Sequence, residues 1–123
     1  MKKSTNRYRI GAALTAGVAA LAIGDATIPA AYAATQYGAI AYSSNGSWGR
    51  SVNYPSQDAA NMTAVAACGY TDCKVLAQFT ACGAVASNGR KFQGGVGPTL
   101  AAAQADAIAK LGGNGTIDSW GCN

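Results

Sequence analysis

The sequence contains no histidine and no glutamate, and all five of its acidic residues are aspartates. Histidine is the commonest general base and the commonest metal ligand in proteins, so its absence excludes His-dependent catalytic triads and His-containing zinc sites. Charged residues make up only 11% of the 123 positions, whereas about 25% is typical of soluble domains. This length favours one small packed domain, and few of the usual catalytic groups are available to it.

The first 33 residues have the three parts of a secretory signal peptide. Four basic residues precede an apolar segment over residues 10–23, and Ala31-Tyr32-Ala33 supplies an A-x-A cleavage site. The apolar segment is shorter than the ~20 residues that a membrane-spanning helix needs. An uncleaved membrane anchor is the alternative. We predict a signal peptide over 1–33 and a mature domain over 34–123, which is secreted or held in the cell envelope without a stable membrane anchor.

The net charge of +4 belongs mainly to the predicted signal peptide. Residues 34–123 carry five basic and four acidic side chains, which leaves a net charge of +1. Nucleic-acid binding depends on many Lys and Arg side chains placed against phosphates. We therefore expect no nucleic-acid partner.

All four cysteines, Cys68, Cys73, Cys82 and Cys122, lie in the predicted mature domain. An even number of cysteines in a small exported domain indicates disulfides, and four cysteines allow three pairings. The layout of the predicted elements favours Cys68–Cys73 and Cys82–Cys122. A zinc site is the alternative, but paired C-x-x-C motifs are absent. No cofactor is expected.

Turn and cap signals divide the mature chain into hairpins and helices. Asn-Gly pairs at 45–46 and 88–89 predict hairpin turns, while Ser56 and Thr99 are candidate helix N-caps. Several of these signals recur with an offset of 43 residues, which indicates an internal duplication. The predicted order is ββα-ββα-β, in a small α+β domain where two Ala-rich helices cover one face of an antiparallel sheet.

The alternation of apolar and polar residues predicts which face of the sheet is buried. Over residues 73–85 the odd positions are apolar, so this segment is predicted as one strand with its odd positions in the core. The equivalent position in the first hairpin is Ile40, which should also point inward. A two-residue turn at Asn45-Gly46 would then place an aromatic and cationic patch on the open face. Its residues are Tyr37, Trp48, Arg50 and Tyr54.

This patch is the candidate binding site, because aromatic and arginine side chains often anchor partners. The alternative is that these aromatics belong to the core or merely cover a wet sheet. We expect a monomeric, non-catalytic binding module for a macromolecule or an envelope glycan, and an inhibitor of an envelope enzyme is one form that such a module could take. A small cell-wall hydrolase acting through aspartates and a passive envelope structural protein are the other hypotheses.

Several segments resemble a family of small exported bacterial domains known as domain of unknown function 4189. The resemblance covers about residues 37–122 and rests on motifs around Tyr37-Gly-Ala-Ile-Ala-Tyr-Ser43, Ala67-Cys68-Gly69, Asp72-Cys73 and Cys82-Gly-Ala-Val-Ala86. It implies secretion and a compact α+β domain. It implies no catalytic residues. Many members carry a further cysteine pair near the second helix, which this sequence lacks.

Overall fold

The computed structural model describes residues 34–123; the predicted signal peptide lies outside the described residues. Two helices and six strands follow one another in the order ββαβ-ββαβ. They are β1 (Tyr37–Tyr42), β2 (Trp48–Tyr54), α1 (Gln57–Cys68), β3 (Lys74–Phe79), β4 (Cys82–Ser87), β5 (Phe92–Gly97), α2 (Leu100–Lys110) and β6 (Thr116–Cys122). Among the described residues, no helix is long and apolar enough to cross a membrane.

The strands form two antiparallel sheets with the same internal order. Sheet A has the order β2-β1-β3 and sheet B has the order β5-β4-β6. In both, the first strand of a hairpin is central and the strand after the helix pairs with its other edge. This repeated arrangement agrees with the duplication that the sequence indicates.

The sheets pack face to face, and each helix covers the outer face of one sheet. Ile40 and Val85 are fully buried in a central core between the sheets, together with Tyr42, Ala77 and Phe79. Two outer cores hold mainly alanines. Ala39, Ala41, Ala60, Ala64 and Cys68 lie between sheet A and α1, whereas Cys82, Ala84, Ala86, Ala103 and Ala107 lie between sheet B and α2.

The α+β class, the two Ala-rich helices and the two disulfides are confirmed. The structure differs from the prediction in having two sheets, because residues 73–85 do not form one strand. A bend at Thr80-Ala81 ends β3 and begins β4, and the two strands belong to different sheets. The inward orientation of Ile40 is confirmed, and Ala39 and Ala41 lie on the opposite face of β1, which α1 covers.

The helices begin where the sequence predicts. The Ser56 hydroxyl accepts a hydrogen bond from the Ala59 amide at 3.1 Å, and the Thr99 hydroxyl accepts one from the Ala102 amide at 3.1 Å. The side of α1 that faces the sheet is formed by Ala60 and Ala64, which are buried, whereas Met62 is 72% exposed. Small residues face the sheet here, since a larger side chain would push the helix away.

Candidate functional site

The four residues of the predicted patch do not share one face of sheet A. The first hairpin has a five-residue loop over residues 43–47, so Tyr42 pairs with Trp48 and Ile40 pairs with Arg50. A shift of one residue in register turns every side chain to the opposite face. A bulge between residues 37 and 39 restores the predicted pairing only for Tyr37 and Tyr54.

The predicted patch is therefore split, and its placement on one open face is wrong. Tyr37 and Tyr54 are partly buried against the core beneath α1. Trp48 and Arg50 lie on the other face of β2, toward sheet B, and both are exposed because β2 is an edge strand. The structure brings the four residues together as two pairs on opposite faces of sheet A, Tyr37 with Tyr54 and Trp48 with Arg50, not as one group.

A different aromatic and cationic surface forms where β2 lies beside β6. The Arg50 Nη1 atom donates a hydrogen bond to the Trp120 carbonyl oxygen at 2.6 Å. Trp48 is 40% exposed and Trp120 is 46% exposed. We call Trp48, Arg50 and Trp120 the tryptophan surface. Two strands from different sheets contribute to it, so its integrity depends on how the sheets pack together.

A buried tyrosine supports Trp48 from within. The Tyr42 ring stacks with the Trp48 ring at a centroid distance of 6.1 Å, and the Phe92 ring lies 4.7 Å away on a tilted plane. The Tyr42 hydroxyl lies 2.7 Å from both Asp118 Oδ2 and Ser119 Oγ. Since it has one proton, it donates to the carboxylate and accepts from Ser119. Burial is the main reason that the pKa of Tyr42 is raised.

Asp72 closes the first hairpin loop from outside. Its carboxylate accepts hydrogen bonds from the Ser43 hydroxyl at 2.6 Å, and from the amide of Ser44 at 3.1 Å and the hydroxyl of Ser44 at 2.5 Å. These donors, Ser43 first, lower the pKa of Asp72 to about 2. Such a carboxylate is a weak proton acceptor, so its role here is to order the loop.

Asp106 is engaged in a comparable way on α2. It accepts a hydrogen bond from the Val96 amide at 3.0 Å and pairs with Lys110 at 3.1 Å. The Val96 amide is the main cause of its lowered pKa, with Lys110 second. A general acid needs a raised pKa, so the shifts of both Asp72 and Asp106 are in the wrong direction for glycoside hydrolysis.

Two shallow clefts open on the described part of the chain. The larger, of about 390 Å³, lies beside the bend between the sheets, and the smaller, of about 250 Å³, lies beside Asp72. The larger is lined by Gln57, Gln78, Phe79, Thr80, Ala81, Cys82, Val96, Gly97 and Pro98. It holds neither a charged side chain nor a free thiol, so it offers no nucleophile beyond the Thr80 hydroxyl.

The cysteines pair as the sequence layout favours. Cys68 is bonded to Cys73 and Cys82 is bonded to Cys122. The described residues contain no free cysteine and no cluster of three or more His, Cys, Asp or Glu side chains that could hold a metal ion. The four cysteines therefore act as cross-links.

Comparison with known proteins agrees with this architecture. Residues 37–122 match the model of the family described as Domain of unknown function (DUF4189). The chain belongs to this family. The match spans both sheets, both helices and both disulfides.

Mycobacterial proteins are among the relatives of this chain. Protein Rv1269c of Mycobacterium tuberculosis is 70% identical over 93 residues, which is 76% of this chain and 74% of that protein. Uncharacterized protein Rv1813c of the same species is 47% identical over 87 residues, covering 71% of this chain and 60% of that protein. The NMR structure of Rv1813c superposes with a TM-score of 0.65 at 36% identity, covering 98% of this chain and all of that one.

Sequence reasoning missed Trp120, Tyr42 and Asp118 as parts of the surface region. Tyr42 meets Asp118 and Ser119 across 76 and 77 residues of chain. No local pattern reports such a contact. The available signal was that the chain has only two tryptophans and that each occurs in a Ser-Trp-Gly sequence.

Proposed function

We propose that the domain acts outside the cytoplasm as a non-catalytic binding module, and that the tryptophan surface contacts its partner. The observation that supports this is the exposure of two large indole side chains, Trp48 and Trp120, on neighbouring edge strands that are joined by the hydrogen bond from Arg50 to the Trp120 carbonyl. Tryptophan and arginine are the residues most enriched among binding hot spots. Two disulfides in a small domain support an oxidising compartment.

An envelope glycan is the partner that this chemistry fits best. Trp48 and Trp120 are both exposed, so an extended polymer can reach them. Flat indole rings offer apolar faces to sugar rings, and the Arg50 guanidinium has further N–H groups for hydroxyl or anionic groups. The near-neutral charge of residues 34–123 gives no support to a nucleic-acid partner.

The alternatives make different demands on the structure. A hydrolase acting through aspartates requires a carboxyl of raised pKa beside a second carboxylate, whereas Asp72 and Asp106 are both shifted downward. The family brings no known catalytic residues to transfer. A passive structural protein requires no binding surface. The two exposed tryptophans argue against this alternative.

The test is co-sedimentation of the 34–123 domain with an insoluble glycan prepared from a mycobacterial cell wall. We expect Trp48→Ala and Trp120→Ala each to weaken binding by about tenfold, because truncation of a hot-spot aromatic commonly costs more than about 1 kcal/mol. Met62→Ala, which removes an exposed apolar side chain from α1, is the matched control and should bind normally. Unchanged binding by both tryptophan variants, with folding intact, would contradict the proposal. Failure of the wild type to bind would favour the structural alternative.

A further inference from the structure

Two residues form the only covalent link between two self-contained halves of the described chain. The first half, residues 37–79, consists of β1, β2, α1 and β3, and the second, residues 82–122, consists of β4, β5, α2 and β6. Thr80 and Ala81 join them. Each disulfide lies within one half, so each half keeps its own cross-link when the halves separate.

The halves are held together by a specific interface. Apolar side chains of both sheets meet in the central core, where Ile40 and Val85 have no solvent exposure. Directional contacts add to this: Arg50 bonds to the Trp120 carbonyl, and the Asn53 amide donates to Asn123 Oδ1 at 2.7 Å. An interface of this kind does not depend on the two halves belonging to the same chain.

The connecting residues are compatible with an extended conformation. The apolar alternation of residues 73–85 continues through Thr80 and Ala81 without interruption. Neither residue is Gly or Pro, neither has a positive φ, and threonine is favoured in strands. Straightening this hinge would break the hydrogen bond from the Asn123 side-chain amide to the Phe79 carbonyl (3.2 Å), which joins the two halves across it. It would also carry the second half away from the first.

We propose that two copies of this chain exchange halves and form a domain-swapped dimer. In that dimer the hinge is extended, and the first half of each copy packs on the second half of the other through the same interface as in the monomer. Exchange of identical elements is a low-cost route to a dimer because no new interface is needed. The closed monomer dominates in dilute solution, since its halves meet without loss of translational freedom.

Exchange has a consequence for binding that rests on the proposed function. Trp48 and Arg50 belong to the first half and Trp120 to the second, so each tryptophan surface of the dimer combines residues from both copies. The dimer presents two such surfaces. A repetitive polymer could engage both at once, which raises the overall affinity without any new contact.

Engineered cysteines test the exchange without reference to any ligand. A Cβ at position 121 would lie 3.3 Å from Val52 Cγ1, close enough for a disulfide between Val52→Cys and Gly121→Cys, with the flexible Arg50 side chain moving aside. The variant is unfolded in guanidinium with its native disulfides intact and refolded at micromolar and near-millimolar concentration. Products are separated on non-reducing gels, and the 52–121 linkage is identified by mass mapping.

We expect an intrachain 52–121 linkage and a monomer at low concentration. At high concentration a covalent dimer joined by two interchain 52–121 linkages should accumulate, and its ratio to monomer should rise roughly in proportion to chain concentration. Monomer alone at every concentration would overturn the proposal. A dimer whose 52–121 linkages are intrachain would also overturn it, because its halves have not exchanged.

Hinge length provides an independent test by light scattering. Deletion of Thr80 and Ala81 prevents the second half from folding back, so this variant should be dimeric even in dilute solution. Insertion of Gly-Ser-Gly between the two residues should give a monomer across the same range. A folded, monomeric deletion variant would overturn the proposal. If that variant fails to fold, the cysteine experiment still decides, since it leaves the hinge unchanged.

Discussion

At the scale of single residues, Asp72 shows how a fully exposed carboxylate can order a loop. Its pKa is lowered from 3.8 to about 2 by the Ser43 hydroxyl and then by the Ser44 hydroxyl and amide. A folded-state pKa below the unfolded value means that the unfolded chain binds more protons at intermediate pH. The stability from Asp72 is therefore present above pH 3.8 and is lost as the pH falls through about 2.

Removing one donor should raise this pKa. In Ser44→Ala the carboxylate loses the side-chain bond at Oδ2, and we expect the pKa of Asp72 to move from about 2 toward 3.8. Carbon-detected NMR titration of the carboxyl measures it directly. Ser87→Ala is the matched control, because Ser87 occupies the corresponding position in the second hairpin and its hydroxyl accepts a hydrogen bond from the Gly89 amide. An unchanged Asp72 titration in Ser44→Ala would contradict this assignment.

At the scale of secondary-structure elements, close contact between each helix and its sheet depends on a glycine. A Cβ on Gly49 would collide with the backbone of α1 at Ala64 and Cys68, and one on Gly95 would collide with α2 at Ala103 and Ala107. Backbone atoms cannot rotate away as side chains can. The helices must therefore move outward if either glycine acquires a side chain.

Gly49→Ala should consequently destabilise the domain. Overpacking of a tight contact typically costs about 1–3 kcal/mol, and we expect a loss of at least this size because the obstacle is backbone. Guanidinium unfolding of the 34–123 domain measures it. Ala66→Ser, on the exposed side of α1, is the control and should change the free energy of unfolding little. A Gly49→Ala domain as stable as the wild type would mean that α1 does not lie this close to β2.

The sequence predicts an element well where nearby residues determine it, as at a helix N-cap, and poorly where loop geometry determines it, as for the register of a hairpin. Ser56 and Thr99 mark the helix starts because a cap acts on an amide three residues away. The predicted register of the first hairpin was wrong because residues 43–47 form a five-residue loop in place of the two-residue turn expected at Asn45-Gly46. In that loop the Ser47 amide bonds to Asn45 Oδ1, an arrangement that an Asn-Gly pair alone does not distinguish from a two-residue turn.

At the scale of the whole molecule, the sequence predicted the α+β class and the cysteine pairs but not the second sheet. The alternation continues across the bend because Phe79 before it and Val85 after it enter the same central core, while Val75, nearer the start of β3, packs in the core beneath α1. When a chain bends from one sheet into a facing sheet, the side chains that face the shared core before the bend still face it after the bend. The apolar periodicity therefore cannot distinguish one long strand from two strands joined by a bend. Because the tryptophan surface combines residues of both sheets, it could not be predicted without the second sheet.

The disulfides should stabilise the molecule unequally. Cys68–Cys73 joins residues separated by 5 positions and Cys82–Cys122 joins residues separated by 40. In the chain-entropy model, loops of these lengths correspond to about 2 and about 4 kcal/mol respectively. We expect Cys82→Ala/Cys122→Ala to lose more stability than Cys68→Ala/Cys73→Ala in guanidinium unfolding. Cys68 and Cys82 are both buried, so the loss of packing is similar in the two variants and the difference reports loop closure. Equal losses, or a larger loss for the short loop, would mean that local packing beneath α1 outweighs the constraint on the unfolded chain.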